Sequence, residues 1–438
     1  MKTAWKKNPW SWVPSLYFIE GVPYAIVVMV AEIMYSRFGM GNAEIAFYTS
    51  LFYIPWVIKP FWSPFVDIFK TKRWWIDTMQ LLIGAALGGI AFTIPGSFWL
   101  QASLCLFWLI AFSSATHDIA ADGFYMHGLD DNQQSFFVGI RSTFYRLAMM
   151  FGQGALIVLA GTLEVFTRDI HYAWALTFYL AAGLLIVLGL YHQWALPRPK
   201  SDHTIHYEGQ EMMIEKKMQA KQIVNDFIDI VRSFFKKDGI VFALMFILLY
   251  RVPEGMLVKM CPLFLVDPVD KGGLGLSPQD IGFVLGTIGV VGLTIGGILG
   301  GLYSSIRGLK KSLWLMVCAI TLPDIVYVIL AYLQPSSLLL INVCIFFEQF
   351  GYGFGFTAYM LYLIYFSQGE QKTSHYAICT GLMALGLLVP GMIAGWLQEL
   401  VGYNTFFIIV MFLCIITFVV SALVKINPTF GKQDKSTN

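Results

Sequence analysis

The chain is 438 residues long, 57% hydrophobic and only 13% charged, against about 25% charged residues in a soluble domain. That composition cannot cover a water-facing surface all round, which excludes a soluble globular domain and predicts a polytopic membrane protein. With 29 Lys and Arg against 27 Asp and Glu, the net charge of +2 points to no partner; its distribution along the chain is what carries information.

Taken in chain order, twelve apolar segments are each long enough to span about 30 Å of hydrocarbon. They cover residues 12–36, 44–65, 74–95, 98–127, 135–163, 171–195, 239–266, 279–303, 311–333, 337–366, 373–399 and 403–425. An even count puts both termini on one side. The terminus-side segments hold twenty-one Lys and Arg, including Lys70, Lys72 and Arg73 after span 2 and Arg307, Lys310 and Lys311 after span 8. The opposite loops hold three, Arg37, Arg168 and Lys271. The positive-inside rule therefore makes the termini and the central loop cytoplasmic. The basic start, "MKTAWKKNPWSW", has no small-residue cleavage site after its apolar run, so span 1 is expected to be an uncleaved anchor. The six cysteines all fall within spans and form no CxxC pair, which argues against disulfides and zinc sites.

Residues 197–238 break the pattern with eight basic and seven acidic residues, and divide the chain into 1–196, a connector at 197–238, and 239–438. Within the connector, Ile223, Phe227, Ile230, Val231 and Phe234 share one face of a helix. That face predicts either a helix lying along the membrane surface or a plain tether. The halves are weakly repeated: "YFIEGVPYA" in span 1 is similar to "LYRVPEGML" in span 7.

Charge inside a span is costly and usually faces a cavity or a partner. The spans contain Glu20, Glu32, Lys59, Asp118, Asp122, Arg141, Arg146, Arg251, Glu254, Lys259, Asp324 and Glu348. Glu32 lies near the far end of span 1, and Lys59 is expected to snorkel to the cytoplasmic surface. Asp118 and Asp122 stand four apart on one face of span 4. Counting inward from the short loop between spans 4 and 5, Asp122 matches Arg141 in depth and Asp118 matches Arg146, with Glu20 at nearly the same level. Two readings stay open: a closed ion-pair set that only clamps helices, or a set that opens when a proton or substrate arrives. Asp118, Asp122, Glu20 and Glu254 are the proton-coupling candidates. Arg141, Arg146, Arg251 and Glu348 are candidates for meeting the cargo. Tyr24, Tyr145, Tyr250 and Tyr352, with Tyr17 and Tyr359, lie near the charges and could stack on sugar rings. Asp67, Lys72 and Arg73 form a candidate gating loop. His117 and His127 lie about 15 Å apart along a helix, which argues against a metal site. His375, near the start of span 11, is expected to be interfacial.

Several segments resemble one family. "ATHDIAADGF" (115–124) resembles the span-4 motif Ala-Thr-Gln-Asp-Ile-x-x-Asp of AmpG-type muropeptide permeases and the related acetyl-coenzyme A transporters, with Asp118 and Asp122 on its acids and His117 where a glutamine is usual. "LFYIPWVIKPFWSPFVD" resembles that family's span-2 exit, matching Lys59, Trp62, Pro64 and Asp67. "FYRLAMMFGQGALIVLAG" resembles its span 5, placing Arg146 on the family's arginine, and residues 376–409 resemble its spans 11 and 12. The six-plus-six layout resembles the major facilitator superfamily. This resemblance implies an all-α fold of twelve transmembrane helices in two six-helix halves, a midplane substrate site, and access that alternates as the halves rock. It further implies proton-driven import of anhydro-muropeptides across a bacterial inner membrane, although members also carry siderophores and acetyl-coenzyme A. The departure at His117 leaves the cargo open. The expected partners are a small-molecule substrate, protons and the lipid bilayer, with no nucleic acid and no cofactor, and the expected state is a monomer. Rival readings are an exporter or siderophore importer on the same fold, and a sensor that binds without transporting. The sequence has no HExxH, GxSxG or P-loop motif, which argues against an intramembrane enzyme or an ATP-driven pump.

Overall fold

The computed structural model describes residues 8–129, 131–199, 202, 225, 228–369, 372–428 and 430, and every regular element among them is helical. The α-helices are α1 (Val13–Ala25), α2 (Ala31–Arg37), α3 (Asn42–Leu51), α4 (Ile54–Phe69), α5 (Lys72–Thr93), α6 (Trp99–Gly128), α7 (Asp131–Met150), α8 (Ile157–Thr167) and α9 (Ile170–Ala195). After the connector come α10 (Ile240–Leu249), α11 (Val252–Val266), α12 (Pro278–Phe283), α13 (Val290–Arg307), α14 (Leu309–Thr321), α15 (Ile325–Leu333), α16 (Leu338–Phe366) and α17 (Lys372–Leu423). Among the described residues, ten helical runs are long and apolar enough to cross a membrane. The 52-residue α17 turns a corner at Gly402, where φ is 74° and ψ is 164°, and so supplies two spans. The remaining span of the twelve is α3 with α4, interrupted at Phe52 and Tyr53.

Several spans are broken where the sequence removes a backbone donor. Pro23 has no N–H for the carbonyl of Ile19, and span 1 loosens into a π turn at Ile26–Val30 before continuing as α2. That turn packs on a second π turn, Phe151–Leu156, in span 5. Pro253 stands likewise just after the interruption of span 7 at Tyr250 and Arg251. There Thr417 Oγ1 donates 2.9 Å to the Tyr250 carbonyl, satisfying one acceptor that the break exposes.

The chain forms two compact units, Met1–Met34 with Ile58–Asp226, and Tyr35–Val57 with Phe227–Asn438. In the first, α5 packs between α6 and α9, and α1 lies on α6 and α7. In the second, α13 and α14 lie on α16, and α3, α10 and α11 lie on α17. The units differ from the division at the connector because residues 35–57 go with the second unit. The hub of that attachment is Asn42, whose Nδ2 lies 2.8 Å from Asp267 Oδ2, 2.9 Å from Gln398 Oε1 and 3.0 Å from the Tyr403 hydroxyl. Tyr403 in turn donates 2.7 Å to Asp267. Gly395 makes the approach possible, since a Cβ there would fall 2.1 Å from the Asn42 carbonyl oxygen.

Of the connector's apolar face, Ile223 and Phe227 lie outside the described residues. Phe234 is fully buried against Phe366 and His375, so this end of the connector packs on protein through that residue. His375, near the start of α17, is buried as well, 2.9 Å from Ser233 Oγ. The Lys237 ammonium donates to the carbonyls of Phe366 and Gln368 at 2.6 and 2.8 Å and so caps α16. Partial burial of that ammonium lowers its pKa.

Each half repeats one close packing. A Cβ on Gly21 would lie 2.8 Å from Ala148 Cβ and 3.0 Å from the Tyr145 carbonyl oxygen, and one on Gly255 would lie 3.0 Å from the Leu387 carbonyl oxygen. Larger side chains at these sites must push a neighbouring helix away, at a typical cost of about 1–3 kcal/mol. Gly21→Leu and Gly255→Leu are expected to lower the apparent Tm of the detergent-solubilised protein by several degrees. Gly183→Ala, which meets open space, should leave it unchanged or slightly raised.

Candidate functional site

In the first unit the charges converge from four helices. Tyr17 and Glu20 come from one face of α1, Lys59 from α4, His117, Asp118 and Asp122 from α6, and Arg141 from α7. Arg141 Nη1 lies 3.1 Å from Asp122 Oδ1 and donates 3.0 Å to the Tyr17 hydroxyl, which lies 3.2 Å from the same Asp122 oxygen. The guanidinium also stands 4.7 Å from the centre of the Tyr17 ring and 5.2 Å from that of Tyr125. The expected depth match of Asp122 and Arg141 is thus a direct contact.

Asp118 has a different partner from the expected one. Its Oδ2 lies 3.9 Å from Lys59 Nζ, so Lys59 turns inward instead of snorkelling away. Arg146 is exposed and forms no ion pair among the described residues. The reason is rotational. Five residues along a helix turn a side chain by about 140°, so Arg146 cannot share the face of Arg141 whatever its depth.

Glu20 is the most enclosed of the three acids in this cluster, at 9% exposure, and its Oε2 has no hydrogen-bond partner. Its electrostatic neighbours are Asp118, Asp122, Arg141 and Lys59. Tyr145 stands beside the same cluster, with Tyr24, Asp118 and Glu20 as its neighbours. The donor atoms of Glu20, His117 and Asp118 lie within 4.8 Å of one another, a spacing that a metal ion could share. The Lys59 ammonium already supplies a cation to Asp118, so the site suits an ion-pair set better than a metal.

A second cluster lies in the second unit. Arg251, 4% exposed, holds both carboxylate oxygens of Glu254, Nε to Oε2 at 2.8 Å and Nη2 to Oε1. Nη2 also donates 2.8 Å to the Tyr352 hydroxyl, and the guanidinium lies 4.7 Å from the centre of the Phe356 ring. Behind it Phe246, Tyr250 and Tyr359 stack, with Tyr359 donating 2.7 Å to the Ile247 carbonyl and the Tyr250 hydroxyl buried without a partner. At 1% exposure, Tyr250 presents no open ring face in this structure. Glu348 accepts from Tyr327 and Gln349, both at 2.9 Å. Asp324 is buried near Cys414 Sγ at 3.7 Å. Lys259 is buried too, with Nζ 3.1 Å from Thr49 Oγ1.

At the candidate gating loop, the Asp67 side chain lies outside the described ones. The Asp202 carboxylate accepts from the backbone N–H of Lys72 at 2.7 Å and of Arg73 at 3.1 Å, placing a negative charge at the N-terminus of α5. The Arg73 guanidinium bonds the carbonyls of Gln193 and Leu196 at the end of α9. Sequence reasoning missed Gln80, His192 and Asn42. For Gln80 and His192 the available signal was a polar residue inside an apolar run.

Removing one member of a buried ion pair typically costs about 3–5 kcal/mol by stranding the other. Arg251→Gln should therefore destabilise the protein strongly in a detergent unfolding assay. Arg251→Gln with Glu254→Gln should be less impaired than the two singles summed.

Comparison with known proteins gives a consistent picture. A sequence profile of the Major Facilitator Superfamily matches residues 15–363. The anhydromuropeptide permease of Escherichia coli (strain K12) is 24% identical over 398 residues, covering 90% of this chain and 75% of that protein. A putative transporter, AmpG 4, of Rickettsia conorii is 23% identical over 411 residues, covering 91% and 92%. Among solved structures, the nucleoside transporter NupG superposes with a TM-score of 0.65 at 13% identity, over 95% of this chain and 98% of that one. A POT family transporter in complex with a thioalcohol-conjugated peptide superposes with a TM-score of 0.68 at 11% identity, over 94% and 96%.

Proposed function

The chain belongs to the Major Facilitator Superfamily and is a multi-pass membrane transporter, and on that premise we propose that it imports a muropeptide, or a related sugar-containing solute, driven by protons. The proposed setting is a bacterial inner membrane with both termini in the cytoplasm. The similarity to the E. coli anhydromuropeptide permease supports the cargo class. Proton coupling rests on one observation. In the first unit three carboxyl groups, Glu20, Asp118 and Asp122, share two cations, Lys59 and Arg141, and one carboxyl oxygen has no partner at all.

A set of three acids and two bases carries one net negative charge when fully ionised, and a single proton neutralises it. Glu20 is the natural holder, because Asp118 and Asp122 each have a cation in contact while Glu20 keeps an unpaired oxygen. Tyr24 and Tyr145 offer ring faces next to this charge. In the second unit Arg251 is held by Glu254 and Tyr352. Alternating access would then depend on two states of the acid set, protonated and ionised, that favour different helix arrangements.

Uptake of labelled anhydro-muropeptide into proteoliposomes tests this directly. With an imposed inward proton gradient the solute should accumulate above its outside concentration, and a protonophore should reduce the process to equilibration. Accumulation that survives the protonophore and requires sodium would overturn proton coupling. Glu20→Gln and Asp118→Asn should each retain equilibration while losing gradient-driven accumulation.

A further inference from the structure

Next to the carboxyl cluster runs a buried polar chain that the proposed function does not use. Ser15 Oγ lies 2.8 Å from His192 Nε2, His192 Nδ1 lies 2.9 Å from Gln80 Oε1, and Gln80 Nε2 lies 2.9 Å from His117 Nε2. The chain crosses the first unit from α1 through α9 and α5 to α6. Exposure is 0% at His192, 1% at Gln80 and 2% at His117, so water does not substitute for any of these bonds. At one end, His117 belongs to the trio with Glu20 and Asp118 whose donor atoms lie within 4.8 Å. At the other, Ser15 lines an open groove with Ser11 and Tyr191.

An amide between two imidazoles can be satisfied in two complete ways, because each ring has one donor and one acceptor nitrogen that exchange roles with the tautomer. In the first, Ser15 donates to His192 Nε2, His192 Nδ1–H to Gln80 Oε1, and Gln80 Nε2–H to His117 Nε2. The His117 proton then sits on Nδ1, the nitrogen that Gln80 does not engage, in a residue whose donor atom lies within 4.8 Å of those of Glu20 and Asp118. In the second, the Gln80 amide is turned over and every bond runs the other way. His117 Nε2–H donates to Gln80 Oε1, Gln80 Nε2–H to His192 Nδ1, and His192 Nε2–H to Ser15. Ser15 turns its hydrogen to the Trp12 carbonyl, 3.3 Å away. His117 Nδ1 is then an acceptor.

We propose that this chain is a reversible hydrogen-bond switch that serves the Glu20–Asp118 pair in both of its protonation states, with His117 as the group facing the carboxyls and Gln80 as the pivot. Two ionised carboxylates require a donor, which the first arrangement supplies. A protonated carboxyl requires an acceptor, which the second supplies. The three bonds among Ser15, His192, Gln80 and His117 are kept in both, and no proton is added to the chain: each ring moves its N–H from Nδ1 to Nε2, and the arriving proton stays on the carboxyl. Both rings remain neutral throughout. Other charges facing His117 are Lys59 from α4, through Asp118, and His192 from α9; Asp122 and Arg141 stand one contact further away. In this role Gln80 and His192 are positioning residues. The switch rests on the proton reading only for the event that changes the pair's state.

Nitrogen NMR of the full chain in lipid bilayers, with isotopically labelled histidine, reads each ring's tautomer. His117→Gln and His192→Gln serve to assign the signals. Between about pH 8 and about pH 5, the protonated nitrogen should change from Nδ1 to Nε2 in both rings at one common midpoint. In Gln80→Leu, His192 should stop following His117. Rings that keep one tautomer throughout, that change at separate midpoints, or that become doubly protonated would overturn the switch. The wild-type titration decides the matter even where Gln80→Leu fails to fold. Uptake that ignores the proton gradient would refute the proposed coupling and leave correlated tautomers standing, whereas fixed tautomers would refute the switch and leave proton-driven uptake intact.

Discussion

Burying carboxylates among apolar helices is costly unless each has a counter-charge, and the first unit is built with three acids and two bases. Asp122 is held by Arg141 and Tyr17, and Asp118 faces Lys59. Glu20, the most enclosed, is the member without its own cation. Much else in the unit serves this constraint. The break at Pro23 follows Glu20 by three residues, Gly21 brings α7 close enough to place Arg141, and the π turns of spans 1 and 5 sit directly beyond.

The second unit repeats the device with a different distribution of charge. In span 1 the order is Glu20-Gly21-Val22-Pro23, and in span 7 it is Val252-Pro253-Glu254-Gly255. Each acid stands beside a helix break, and each glycine receives a neighbouring helix. The bases differ. Glu20 depends on cations from α4 and α7, so its surroundings change when those helices shift. Glu254 is bound by Arg251 on its own span, three residues earlier, and that pair travels as one body. A charge set shared between helices responds to motion; a pair within one helix presents a fixed surface to it.

The architecture and most of the charged residues were legible in the sequence because both follow from one-dimensional signals. Apolar length gives the spans, and a charge inside an apolar run stands out by itself. Rotation around the helix axis did not come through as well. Depth counting paired Asp118 with Arg146, yet Arg146 faces elsewhere and Lys59 fills the place. Lys59 looked like a surface residue because snorkelling and inward pairing have the same sequence pattern. The allegiance of residues 35–57 was also hidden, since it depends on Asn42 meeting Asp267, Gln398 and Tyr403, residues more than 200 positions away. Gln80 and His192 were passed over because a single neutral polar residue in a long apolar helix carries no charge to draw attention. Its partner is found only when the helices are in place.

The connector's two ends have a consequence for how the chain could be assembled. Asp202 terminates α5 and Lys237 terminates α16, so each end of the connector completes a helix in its own unit. Neither cap needs the peptide bonds between them. A gene cut within that interval would yield two polypeptides that each retain their own helix caps.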